Sequence, residues 1–445
     1  MEIAHRNGVL HFPLCMTINT KVPLTTEQIE RTLVHLYKKV PPLRTCFQYR
    51  GHELWIYEMD TMKLDFKEVT GGDIIEQVEA LMKLRYLDSS EGPLWRVRWI
   101  CEPPDAPCPI PEVKTRLPFQ YIFLMSLHHG MTDGNASFHI IEAFLRLLED
   151  VLSGTPIDDG KQLGKLVSDQ ETIMVKKNIK EYFEKNPVKL MECKENMVRP
   201  SFEPLLKEAF GFPKDPKPRT RFLISKLKSC VFDRFNEKCA ENNVTFNSGF
   251  TFAINTALVE LVQESGIRRD NYTVTSRHAV NLRRYWQRDH YWSFGCHIGR
   301  MHQTSHTPPY DKAKYWEYVK IHDKQLQEKL KDKYVLQEDV VKELHGIKSP
   351  NFKGNNEPLP VDCDYYISNA YFPTSQVIGG SKLIQITNSL CFIEMHLCEY
   401  MIFHLIASVP GNTTYTLSYS TWHITEENAK RFLQKVEMIV EDLIH

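Results

Sequence analysis

Phe119-Gln120-Tyr121-Ile122-Phe123-Leu124-Met125-Ser126-Leu127-His128-His129-Gly130-Met131-Thr132-Asp133-Gly134-Asn135-Ala136-Ser137 is the stretch on which the fold turns. Phe119 to Leu127 is an apolar run short enough for a buried strand. Gly130 and Asp133-Gly134 are turn signals. Beyond them Phe138, Ile141, Leu145, Leu148 and Leu152 step by three and four, which puts one apolar stripe on a helix. The two histidines therefore lie where a central strand gives way to a helix. A rigid core there presents side chains on an open loop, a common setting for chemistry.

Upstream, Leu10 to Asn19 reads as a strand. Thr25 with Gln28 forms a capping box, and Ile29, Leu33, Leu36 and Tyr37 continue it as a helix that ends near Pro41-Pro42. Leu43 to Tyr49 and Leu54 to Tyr57 read as strands, Ile74 to Leu84 as a helix, and Gly92 to Ile100 as a half-buried strand. A proline-rich loop spans Glu102 to Pro111. Downstream, residues 156–220 are lysine- and proline-rich and read as a partly helical crossover. The second half restarts as a strand at Arg221, with helices over Cys230 to Ala240 and Asn247 to Glu264. Further strands are expected near Tyr272 to Thr275, at Asp364 to Tyr371 and between Leu383 and Tyr419. A helix bearing Phe432, Val436, Ile439 and Leu443 closes the chain. The class is α/β with mixed sheets, divided into a domain at 1–155, a crossover at 156–220 and a domain at 221–445.

The 445 residues exceed what one core usually fills. With 55 Lys and Arg against 56 Asp and Glu, no global field attracts nucleic acid or an anionic membrane. The apolar stretches are too short to span a bilayer, and the first residues do not form a secretory signal. The eleven cysteines include no Cys-x-x-Cys pair, so reduced thiols and the cytoplasm are expected.

In His128-His129-Gly130-Met131-Thr132-Asp133-Gly134 an imidazole with an ordinary pKa near roughly 6.5 suits proton transfer at neutral pH. Transfer of an acyl group from a thioester needs such a base, a device that fixes its ring, and a donor for the oxyanion. A lone histidine after an apolar strand is more often a satisfied core residue; a His-His pair followed by Asp-Gly at this spacing is much rarer. Metal binding is disfavoured: adjacent histidines leaving a strand point in opposite directions, and no third ligand is near. Asp133 is better placed to brace the loop by pairing with an arginine than to act as a triad acid.

Gly92-Pro93-Leu94-Trp95-Arg96-Val97 and the His-His-x-x-x-Asp-Gly motif together resemble the chloramphenicol-acetyltransferase-like superfamily of acyltransferases and condensation domains. Pro42-Leu43-Arg44-Thr45-Cys46-Phe47, Ala279-Val280-Asn281-Leu282-Arg283 with Phe294-Gly295, Ser368-Asn369 and Leu417-Ser418-Tyr419-Ser420 match the family's satellite segments in order. The resemblance implies two similar mixed-sheet domains meeting along an active-site tunnel. It makes His129 the general base and Asp133 the bracing acid, with His128 and Gly134 in support. Arg283 is the first choice of partner for Asp133, with Arg44 and Arg277 as rivals. Ser368 and Asn369 are expected at the channel near the oxyanion. No permanently bound cofactor or metal is implied.

The implied activity is transfer from acyl-CoA to an alcohol by a freestanding monomer acting on a small-molecule acceptor. Amide formation and a non-catalytic binding module are the alternatives. The plant branch's Asp-Phe-Gly-Trp-Gly segment is missing; Asp364-Tyr365-Tyr366-Ile367-Ser368-Asn369 stands nearest to it. Lys214, Lys217, Arg219, Arg221, Lys226 and Lys228 form either a donor-phosphate patch or, more commonly, a solvated linker face. His139, His297 and His404 read as core or channel lining. Cys391 and Cys398 lack any neighbour that would activate a thiol. Tyr285-Trp286 and Tyr291-Trp292 read as a packed loop.

Overall fold

Strand Phe119–His128 is buried over nearly its whole length, which places it inside a sheet rather than at an edge. The structure, a computed structural model, describes residues 5, 10–86, 92–197, 203–287, 292–347, 358–371, 381–396, 398 and 400–445. Its first large sheet has the order Ile384–Cys391, His11–Thr20, Phe119–His128, Trp95–Cys101 and Phe66–Val69. All neighbours are antiparallel except the last pair, so the sheet is mixed.

The two faces of this sheet differ. Phe12, Leu14, Phe123, Met125 and Leu127 point toward helices Thr26–Lys39 and Gly134–Ser153, whose Ile29, Leu33, Ile140, Ile141 and Phe144 complete a core. Cys15, Leu124 and Leu390 meet Val78, Leu81 and Met82 of helix Ile74–Met82 on the opposite face. The Thr25–Gln28 capping box starts the first helix. Helix Gly134–Ser153 ends at Gly154, whose φ of 70° is a left-handed cap that glycine adopts without strain.

The second large sheet runs Ile298–Thr307, Tyr272–Asn281, Tyr365–Tyr371, Ile402–Val409, Asn412–Ser420 and Thr220–Ile224. Tyr365–Tyr371 is parallel to both of its neighbours and the other pairs are antiparallel. One face packs on helices Phe246–Glu264 and Glu426–Ile444. From the other, Tyr366, Phe403, Leu405 and Ala407 enter the core that already holds Phe12 and Met125. One apolar core thus spans both halves of the chain.

The sheets do not divide where the chain order divides. Strand Ile384–Cys391 belongs by sequence to the second half, yet it forms the edge of the first sheet, with Ile386 opposite Ile18. Residues 156–220 pack against the second half. Their helices Gln170–Lys185 and Pro187–Met197 bury Val175, Phe183 and Cys193 with Leu336, Val340 and Val341 of the second half. Strand Ile298–Thr307 and helices Tyr315–Lys331 and Tyr334–Leu344 are elements that the sequence reading passed over. Among the described residues no helix is long and apolar enough to cross a membrane.

Ile386 is fully buried, so Ile386→Ala is expected to cost about 2–5 kcal/mol in denaturant unfolding. Met438→Ala, at a side chain 60% exposed, serves as the control and should stay within about 0.5 kcal/mol of the parent.

Candidate active site

His128 and His129 part company at the end of the strand. His128 lies in register with His11 and shares its face of the sheet. Its Nδ1 accepts from the Gly130 N–H at 2.9 Å, so the proton sits on Nε2, 3.0 Å from His5 Nδ1. Burial, aided by the neighbouring imidazoles, holds its pKa well below the usual value. His128 is thereby a neutral, sealed residue. A Cβ at Gly130 would come within 2.8 Å of the His128 ring, which accounts for glycine there.

His129 turns the other way and stacks on Phe12, with ring centroids 5.1 Å apart. Its backbone N–H donates to the Leu10 carbonyl at 2.8 Å, tying the loop to the neighbouring strand. Nδ1 lies 2.8 Å from the Thr132 carbonyl oxygen. A carbonyl only accepts, so Nδ1 carries the proton and the lone pair of the neutral ring is left on Nε2. The ring is half-buried and keeps some accessible surface. That is the tautomer a general base needs.

Asp133 is not hydrogen-bonded to the imidazole among the described residues. It caps helix Gly134–Ser153, with Oδ1 accepting from Ala136 N–H at 2.9 Å. Its Oδ2 accepts from Arg283 Nη1 at 2.7 Å and from the His297 N–H at 2.7 Å. Arg283 also donates to Asn281 Oδ1 and to the carbonyls of Ser293 and Gly295 at 3.0–3.2 Å. Gly295 has φ 128° and a Cβ there would lie 2.4 Å from His297 Nε2, so the turn that receives Arg283 requires glycine. The pair joins a helix start in one half to a loop in the other.

Of the other two arginines, Arg44 pairs with Glu58 at 2.8 Å and Arg277 with Asp362; neither reaches Asp133. Ser368 and Asn369 stand on the strand Tyr365–Tyr371 in the middle of the second sheet, Ser368 half-buried and Asn369 exposed. Neither is hydrogen-bonded to His129, Asp133 or Arg283 among the described residues. Gly134 has open space where a Cβ would stand, so packing does not demand it. Asp364, nearest to the missing plant segment, accepts from the Leu205 and Thr275 N–H groups and anchors the crossover to the second sheet.

Groups beyond the motif's histidines, aspartate and glycine complete the site. Thr132 supplies the carbonyl that sets the tautomer. Cys296 brings its Sγ to 3.9 Å from His129 Nδ1, while burial pushes its thiol far above the ordinary range. Its only sequence signal was its place directly after Phe294-Gly295. His297 acts through its backbone, and its ring lies 3.1 Å from the Val167 carbonyl. His404 is buried against Tyr415, and His139 stacks on Trp292. Burial raises Cys391 to about 12 and Cys398 to about 11. Trp286 donates to Thr172, and Tyr291 lies outside the described residues. A cavity of about 730 Å³ beside the loop at Pro104–Pro111 contains none of these residues.

No protein-family profile and no curated protein sequence matches the chain. Solved structures do. The condensation domain from the monacolin K polyketide synthase MokA is similar over 100% of this chain and 95% of its own, with 13% identity and a TM-score of 0.69. A trichothecene 15-O-acetyltransferase from Fusarium sporotrichioides is similar over 99% and 93%, with 14% identity and a TM-score of 0.67. Polyketide synthase associated protein 5 from Mycobacterium tuberculosis gives 100% and 95%, 12% identity and 0.62. The chain therefore has the chloramphenicol-acetyltransferase-like fold common to condensation domains and acyltransferases.

Asp133 and Arg283 have side chains only 5% and 6% exposed. Arg283→Ala should cost roughly 3–5 kcal/mol, because it strands a buried carboxylate. Arg283→Lys should recover only part of this, having no planar fork to reach Asp133 and two carbonyls together. Denaturant titration of both variants checks the order.

Burial also lowers His11, His278 and His404 to about 3, and His322, His396 and His423 to about 4. These rings stay neutral in the folded chain, whereas unfolded histidine takes up a proton below about pH 6.5. The unfolded state then binds more protons, so stability falls as pH drops from about 6.5 toward 4. Glu394, pushed up by burial to about 8, works the opposite way with a single proton. Calorimetry should find a lower Tm at pH 5 than at pH 7.

Proposed function

We propose that the chain is an acyltransferase that moves an acyl group from acyl-CoA to the hydroxyl of a small alcohol, with His129 as general base. The observation that carries this reading is the Nδ1–Thr132 hydrogen bond, which leaves Nε2 free to accept a proton. Nε2 takes the acceptor's hydroxyl proton as its oxygen attacks the thioester carbonyl. The tetrahedral intermediate collapses by breaking the C–S bond, and the proton passes from Nε2 to the departing thiolate. Asp133 and Arg283 hold the loop, and Ser368 and Asn369 are assigned to the channel wall, where a hydroxyl or amide can donate to the oxyanion. All eleven cysteines are free, in keeping with a reducing compartment such as the cytoplasm. The two halves of one chain supply the whole site, so a monomer suffices.

Amide formation on an amine or carrier-bound substrate is the second reading, favoured by the likeness to condensation domains. Acyl-CoA supplied with panels of alcohols and amines, followed by mass spectrometry of products, separates the two. His129→Ala should lower transfer by roughly 10²–10⁴-fold with an unchanged circular dichroism spectrum. Near-full activity in that variant defeats the assignment. Asp133→Ala should lose folding yield together with activity. If neither alcohols nor amines are acylated from any thioester, the chain is a non-catalytic binding module.

A further inference from the structure

Outside the His129 site, a group of titratable side chains lies on the opposite face of the first sheet. His11 stacks on Tyr86 with centroids 4.7 Å apart, and Tyr86 donates to the Ser126 carbonyl at 3.1 Å. The Glu394 N–H donates to the His11 carbonyl at 3.2 Å, bringing the segment Glu394–His396 under this cluster. Beside it opens a cavity of about 310 Å³, walled by the end of helix Ile74–Met82, by Pro218–Arg221 and by Glu394 and His396. That volume is in the range of small-molecule sites.

The lining is unbalanced in charge. Lys83, Arg85, Arg219 and Arg221 border it. Arg221 is spoken for by Glu79 at 2.5 Å. Lys83, Arg85 and Arg219 form no ion pair within 4.0 Å among the described residues, although Arg219 lies in the field of Asp215. The inner wall is Glu394, only 8% exposed, whose Oε2 has no hydrogen-bond partner among the described residues. Burial pushes this carboxyl up to about 8; its Oε1 lies 3.6 Å from His396 Nδ1, and the protonated group can donate from Oε2 toward the cavity. Three cations at the mouth and one neutral donor at the floor present hydrogens and call for oxygens.

We propose that this cavity binds a phosphate or diphosphate group of a small molecule, with Arg85 and Arg219 taking its charge and Glu394 donating to an inward oxygen. His11 and His128 share the cavity's face of the sheet, while His129 stacks on Phe12 on the other face, so the sheet separates the bound group from the imidazole. Two sources supply such a group: the phosphates of the CoA donor, or a separate phosphorylated metabolite.

Isothermal titration of the full chain with pyrophosphate tests the site without any turnover, and so independently of the role given to His129. The parent should bind at one site. Arg85→Ala with Arg219→Ala should raise Kd at least tenfold. Glu394→Gln, which still has an N–H to donate, should bind nearly as the parent does, whereas Glu394→Leu should weaken binding. Lys331→Ala with Lys333→Ala, in a second basic cavity beside Arg284, should change nothing. The proposal is overturned if the parent does not bind, if the double arginine variant binds normally, or if the lysine variants abolish binding instead. Displacement of pyrophosphate by CoA assigns the group to the donor; simultaneous binding assigns it to a separate ligand, and both outcomes uphold an oxyanion site.

Discussion

The ion pair between Asp133 and Arg283 is the constraint from which the rest of the candidate site follows. A buried pair is not stabilising by default, since desolvation can exceed the Coulomb gain. Here the remaining valences are almost filled: the carboxylate also receives two backbone N–H groups, and the guanidinium also reaches a side-chain amide and two carbonyls. Only Nε of Arg283 has no partner among the described residues. The pair sets the start of a long helix against a loop of the other half, and the same loop delivers Cys296 to the rear of the His129 ring. Asp133 thus shapes the surroundings of the imidazole without hydrogen-bonding to it.

The paired histidines divide their labour through hydrogen bonds that differ by one atom. In His128 a backbone N–H occupies Nδ1 and drives the proton to Nε2; in His129 a backbone carbonyl occupies Nδ1 and keeps the proton there. Burial then neutralises the first ring for good. Neighbours in sequence become one structural residue and one ring with a free lone pair.

Local chemistry made much of this legible beforehand. The apolar run at Phe119, the Thr25–Gln28 cap and the stripe from Phe138 to Leu152 are strong patterns, because each is dictated within one or two turns. The opposed directions of His128 and His129 follow from strand alternation. Long-range placement was less legible. Nothing near Ile384 says which of two sheets will take it, because its alternation fits either. Lysines and prolines marked 156–220 as a partly helical crossover without showing that Val175, Phe183 and Cys193 fold it onto the second half. Cys296 and the Thr132 carbonyl escaped notice for another reason: one is a single thiol and the other a backbone atom, neither of which leaves a pattern.

The origin of strand Ile384–Cys391 has a consequence for biosynthesis. Strand His11–Thr20 leaves the ribosome well before strand Ile384–Cys391, so its outer hydrogen-bonding edge stays open while residues 21–383 are made. Throughout that interval the nascent chain exposes an apolar β-edge, a template for pairing between chains. Covering that edge until Ile384–Cys391 arrives is thus a demand that the order of synthesis, rather than the finished fold, places on the chain.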